Sequence, residues 1–323
     1  PADRASPAWT YWQARAGLAL AKATPEGEPD RARARAALAA LAGTLDFYGL
    51  LAAEDLGAPA PLPVRPAAPT PLERAATRAL AGLQRARSLA DLDLRDEGRR
   101  EWNFTLRGMD DRQLLAAAQW ACDVADWQLC INTSERTKAE IDVRQRYPMP
   151  YRKDIDEAAQ AHGLESAFVL GIVRQETRFM TQLRSRVGAA GLMQLMPATA
   201  KWTARKTGQP APDDLTDPPQ NLRLGTAYLR LVMDAFGDSP PMAAAAYNAG
   251  PGRPRRWRAD SMVDPAVWTE NIPFLETRDY VKKVMTNAAV YAALEAGRAP
   301  ELRARLGPRI GPRDAEQPTA DIP

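Results

Sequence analysis

Residues 165–199 read ESAFVLGIVRQETRFMTQLRSRVGAAGLMQLMPAT, a helical pattern followed by a glycine-rich turn. Phe168, Val169, Ile172 and Val173 recur at helical spacing, and Glu176 falls three, four, seven and eight residues beyond them, on the apolar stripe. A carboxyl group held against apolar side chains has its charged form desolvated, which raises its pKa and keeps it protonated near neutrality. A general acid needs that property. The competing reading is a last-turn glutamate turned to water, or paired with Arg174 or Arg178. After the helix, expected over 165–178, Gly188 and Gly191 permit positive φ and a close backbone approach in front of the carboxyl group.

Working outward, most glycosidases add a second carboxylate as nucleophile or base. No acidic residue follows Glu176 until Asp213, and Asp214, Asp217, Glu270 and Glu276 are the other distant candidates. Near the acid, Ser185 offers a hydroxyl donor, Gln194 a donor and an acceptor, and Met193 and Met196 soft apolar surface, with one methionine expected in the core. Tyr247 and Asn248 end an alanine-rich helix just before Gly250-Pro251-Gly252, a helix stop. Glu276 reads as a first-turn acid of the last long helix, with Tyr280 one turn later on the same face.

Four motifs in order, RQET, S-x-x-G-A-x-G-L-M-Q-x-M-P, AYNAGPG and IPFLETR-x-YV, together resemble the catalytic domain of soluble lytic transglycosylases. The resemblance implies an all-α, lysozyme-like catalytic domain that cleaves the β-1,4 bond between N-acetylmuramic acid and N-acetylglucosamine in peptidoglycan. One glutamate, matched by Glu176, would protonate the leaving oxygen and then act as base. The substrate's N-acetyl group would stabilise the cationic centre, and its C6 hydroxyl would close a 1,6-anhydro end without consuming water. The same matching carries Ser185, Met196 and Glu276 over as substrate-site residues, and Gly188, Gln194, Asn248 and Tyr280 join them as groove candidates from their own chemistry and position. It makes Tyr247 a phenol that faces and orients the glutamate. Thr177 stands where serine is common, and Arg186 where a proline or small residue is common. The rival readings are a hydrolytic muramidase resembling goose-type lysozyme, with a water base, and a catalytically silent cell-wall-binding scaffold.

The rest of the chain is compatible with this. Its 323 residues suggest more than one domain, and a hydrophobic content of 45% suffices for real cores. Forty-three basic against forty acidic residues leave a net charge of +3, so nothing calls for nucleic acid, and the cluster Arg253, Arg255, Arg256 and Arg258 reads as solvated. No apolar run is long enough to span a membrane and no signal peptide is evident; the resemblance implies a periplasmic protein in a mature or trimmed form. No metal or organic cofactor is implied. His162, the single histidine, is expected at the exposed end of a short helix. Cys122 and Cys130 straddle an expected hairpin turn at Asp126, where they could meet; two free, buried cysteines are the favoured expectation.

Residues 1–57 read as helices with caps at Ser6 and Thr44, the end of an α-superhelical arm. Pro59, Pro61, Pro63, Pro66, Pro69 and Pro71 mark an extended linker. A capping box at Thr70 and Glu73 then restarts helix, with helices expected over 71–88, 91–108, 110–124 and 127–137. Residues 58–147 thus form an expected helical linker domain and 148–298 the catalytic domain. Within the latter, helices are expected over 152–162, 165–178, 197–207, 221–236, 240–248 and 276–296. Residues 299–323 read as a tail that docks briefly and frays.

Overall fold

The computed structural model describes residues 6–59, 61–312 and 322–323. Three helices, α1 (Pro7–Leu20), α2 (Glu28–Leu41) and α3 (Phe47–Asp55), open the described chain and pack on one another. Ser6 caps α1 as its sequence implies. α3 is capped by Asp46, whose carboxylate accepts from the N–H groups of Tyr48 and Gly49, rather than by Thr44, whose hydroxyl turns back to the Leu41 carbonyl.

The proline-rich segment carries no helix, and α4 (Pro71–Arg78) opens with the expected capping box. The helix read over 71–88 is in fact two, because the chain turns at Ala79 and Leu80 into α5 (Ala81–Asp91) and Gln84 takes the Arg78 carbonyl. α6 (Arg95–Thr105), α7 (Asp111–Asp123) and α8 (Trp127–Ser134) complete a layer with its own core around Leu83, Trp102, Leu114 and Cys130.

Cys122 and Cys130 are disulfide-bonded, with their Cα atoms 5.0 Å apart, which corrects the expectation of free thiols. Val124–Asp126, with Ala125 at φ 57°, reverses the chain and brings the end of α7 against α8. That hairpin puts both Cβ atoms within bridging range.

A short helix, α9 (Val143–Arg146), leads into α10 (Arg152–Ala161), and His162 caps the end of α10, half-buried. Next come α11 (Ser166–Thr177), α12 (Pro197–Thr207), α13 (Pro218–Ala235), α14 (Pro240–Ala249), α15 (Gly252–Arg256), α16 (Pro265–Glu270), α17 (Leu275–Ala296) and α18 (Leu302–Leu306). The described residues contain no strand, only isolated bridges at Arg184–Ala190, Ala190–Leu195 and Val263–Ile310.

α11 packs along α17 at the centre. Gly171 makes this contact close: a Cβ there would lie 2.9 Å from the Val284 carbonyl oxygen. One continuous apolar core runs from Leu170, Ile172 and Val284 of this pair to Tyr11 of α1, Leu38 of α2 and Leu51 of α3. Residues past Gly297 dock firmly as far as 312: Leu302, Leu306 and Ile310 are buried, and Glu54 accepts from the N–H groups of Leu302 and Arg303 at the start of α18.

Candidate active site

Glu176 occupies the last turn of α11, one residue before the helix ends at Thr177. The expected bland pairings do not occur. Arg174 and Arg178 both donate to Glu135, at 2.8 and 3.2 Å, and neither donates to Glu176. Tyr280 instead donates its phenol hydrogen to Glu176 Oε1 at 2.6 Å. Loss of solvation pushes the Glu176 carboxyl up to about 7, outweighing the downward pull of that hydrogen bond. Among the described residues, no carboxylate adds to the shift.

Tyr247 does not make the bond expected of it. Its hydroxyl donates to the Met193 carbonyl at 2.8 Å, so it anchors the glycine-rich loop; burial first, and then the nearby Glu176 charge, raise its own pKa. The phenol that orients the acid comes from α17, and the phenol from α14 holds the loop.

That loop, residues 183–196, is stitched to its surroundings. Thr177 Oγ1 donates to the Leu192 carbonyl at 3.0 Å, tying the helix end to the loop through the hydroxyl that threonine shares with serine. Asn221, fully buried in the first turn of α13, accepts from the Met193 N–H and donates to the carbonyls of Ala190 and Leu215. Sequence reasoning missed this latch; an asparagine one turn after the N-cap Asp217 was its only signal. Gly191 has φ 76°, and a Cβ there would collide with the Leu215 carbonyl and Asn221, whereas Gly188, at φ 96°, has open space around it.

The remaining expected residues divide by how their polar atoms are engaged. Gln194 donates both amide hydrogens to the loop carbonyls of Leu183 and Gly191, at 3.0 Å each, so it closes the loop and keeps only its acceptor for a ligand. Ser185 Oγ accepts from the Ala189 N–H at 3.0 Å and retains its own hydrogen to donate. Met193 is fully buried, while Met196 is 39% exposed. Asn248 accepts from Thr277 at 2.7 Å, which joins the end of α14 to the start of α17. Glu276 is exposed and makes no ion pair among the described residues.

The arginine cluster is only partly solvated. Arg253 lies over the Phe274 ring and donates to the Ala249 carbonyl, Arg255 lies over Phe236, and Arg258 donates to the Pro312 carbonyl.

A helical domain with one desolvated carboxyl group beneath a glycine-rich loop places the chain in the lysozyme-like class. Residues 153–265 match the Transglycosylase SLT domain, residues 76–139 the soluble lytic murein transglycosylase L domain, and residues 271–299 the soluble lytic transglycosylase helical domain. The chain belongs to the soluble lytic transglycosylase family. It is 33% identical over 288 residues to a soluble lytic murein transglycosylase of Salmonella typhimurium and 32% identical to that of Escherichia coli, in each case over 88% of this chain and 43% of the relative. It spans less than half the length of these relatives. Among solved structures it resembles an inactive mutant of the lytic transglycosylase Slt from Pseudomonas aeruginosa, with a TM-score of 0.81 and 38% identity, over 96% of this chain and 50% of the other. The 70 kDa soluble lytic transglycosylase of Escherichia coli gives a TM-score of 0.77 and 28% identity, over 95% and 49%.

Proposed function

We propose that the protein is a lytic transglycosylase of peptidoglycan, cleaving the β-1,4 bond between N-acetylmuramic acid and N-acetylglucosamine and leaving 1,6-anhydro ends. The observation that carries this reading is Glu176, raised to about 7 by burial, held by the Tyr280 phenol and lacking a carboxylate partner among the described residues. Protonated, it serves as the acid for the leaving oxygen. Ionised after that step, it accepts the proton of the C6 hydroxyl, and the charge-assisted bond from Tyr280 stabilises it in that form.

Ser185 is assigned to donate to the N-acetyl carbonyl. Gly188, Met196, Asn248, Glu276 and Tyr280 are assigned to the groove, with Gln194 contributing its acceptor. No cofactor is part of this reading. A periplasmic location accords with the Cys122–Cys130 disulfide, which persists in an oxidising compartment, and no described helix is long and apolar enough to cross a membrane.

Digestion of purified sacculi, with mass spectrometry of the released muropeptides, tests the assignment. Anhydro products from the wild-type chain and none from Glu176→Gln are expected. Products heavier by one water would assign a hydrolase, and undiminished turnover by Glu176→Gln would remove Glu176 from the mechanism.

A further inference from the structure

We propose that Glu135, at the end of the 71–134 helical layer, is a positioning residue for Glu176: by binding both flanking arginines it fixes the direction and the charge of the helix end that presents the acid. This rests on reading Glu176 as the general acid. Arg174 lies in the last turn of α11 and Arg178 is the left-handed residue directly after it, and both reach Glu135, while Glu176 lies between them and bonds Tyr280 instead. Holding the two arginines on Glu135 therefore fixes the helix end from which the glutamate projects.

The hold on Arg174 is redundant. Besides Glu135 Oε1 at 2.8 Å, it donates to the Arg146 carbonyl at 3.0 and 2.8 Å and to Asn287 at 3.0 Å, and its guanidinium lies 4.3 Å from the centre of the Tyr147 ring. The guanidinium of Arg178 has only Glu135 Oε2, at 3.2 Å, among the described residues. Yet Arg178 is where the backbone most needs support. Arg178 and Phe179 have φ 50° and 66°, two successive residues with side chains in the left-handed region, directly after the last helical residue. Phe179 is anchored by complete burial, and Arg178 by Glu135.

The charge balance points the same way. Glu176 faces the phenols of Tyr280 from α17 and Tyr247 from α14, and the arginine side faces Arg146 and Tyr147 after α8 and Asn287 and Tyr291 from α17. Glu135 is the one carboxylate bonded to this pair of cations among the described residues. In the intact arrangement burial and the Tyr280 bond set the Glu176 titration, with no contribution from the compensated arginines. Without Glu135, two uncompensated arginines flank the acid in the chain and favour its ionised form. One uncompensated charge is expected to move a titration by up to about one pH unit.

The test compares pH–rate profiles of the full chain on sacculi for wild type, Glu135→Gln, Glu135→Asp and Arg178→Gln, with Glu176→Gln alongside. Because the acid must be protonated, Glu135→Gln is expected to move the alkaline limb down by about one unit, and Glu135→Asp, which keeps the charge, to restore it. Arg178→Gln removes one cation and is expected to move the limb up, which carries the test if Glu135→Gln fails to fold. An unmoved limb in a folded Glu135→Gln, or one that fails to rise in Arg178→Gln, overturns the role of Glu135 while leaving the acid assignment intact. Wild-type cleavage by Glu176→Gln would instead overturn the acid assignment.

Discussion

Glu176 is costly to fold around, and the cost depends on pH. Its folded pKa, about 7, lies above the ordinary carboxyl value of 4.5, so between these values the folded state binds more protons than the unfolded chain. Stability is therefore lost as pH rises through that window and is unaffected below it. Glu176→Gln, which keeps the shape and removes the ionisation, is expected to stabilise the protein by about 3 kcal/mol at pH 8 and by almost nothing at pH 4. Urea unfolding at both pH values checks this, and equal gains at the two would mean that the carboxyl is not desolvated. Function thus opposes stability at a single atom pair, with the Tyr280 bond softening the conflict by favouring the ionised form.

The glycine-rich loop makes the corresponding argument at the scale of an element. Gly191→Ala places a Cβ against the Leu215 carbonyl and the Asn221 amide in a backbone that already disfavours it, and is expected to cost more than about 3 kcal/mol and to abolish activity. Gly188→Ala meets only the backbone penalty, about 1 kcal/mol, with the fold retained. Thermal unfolding of the two variants separates them; similar losses would show that φ alone governs both.

The glycines, the helix bearing Glu176 and its apolar stripe were legible because each is a local pattern. The loop's fastenings were not. Asn221 lies some thirty residues from the carbonyl it binds, at Ala190, and polar side chains meeting across that separation leave no period in a sequence. The exchange of roles between Tyr247 and Tyr280 was hidden for the same reason: both stand on faces that converge on the acid, and only the packing of α14 and α17 decides which hydroxyl reaches it. The split of α4 from α5 and the short helices α9, α15, α16 and α18 escaped because so few residues show no periodicity.

At the scale of the whole molecule, α1 and α3 are joined to the site-bearing helices by a half-buried polar clamp as well as by the shared core. Glu270, at the end of α16, accepts from Tyr48 of α3, from Trp12 Nε1 of α1 at 3.1 Å and from Lys282 Nζ of α17 at 3.0 Å, and Lys282 also donates to the Tyr48 hydroxyl. Burial alone would raise the Glu270 carboxyl, but these donors hold it below the ordinary carboxylate range. Lys282, with its side chain 12% exposed, has Glu270 as its ion-pair partner among the described residues. Removing one member of a half-buried pair strands the other, which costs more than the pair contributes. Glu270→Ala is therefore expected to lose about 2–3 kcal/mol, less than a fully buried pair because water still reaches both groups, and Glu270→Ala combined with Lys282→Met much less than that. Tyr48→Phe, which removes one of several donors to Glu270, is expected to lose about 1 kcal/mol. Denaturant unfolding of the four proteins decides the matter: a double variant as unstable as Glu270→Ala would mean that the clamp matters for its packing rather than its charge.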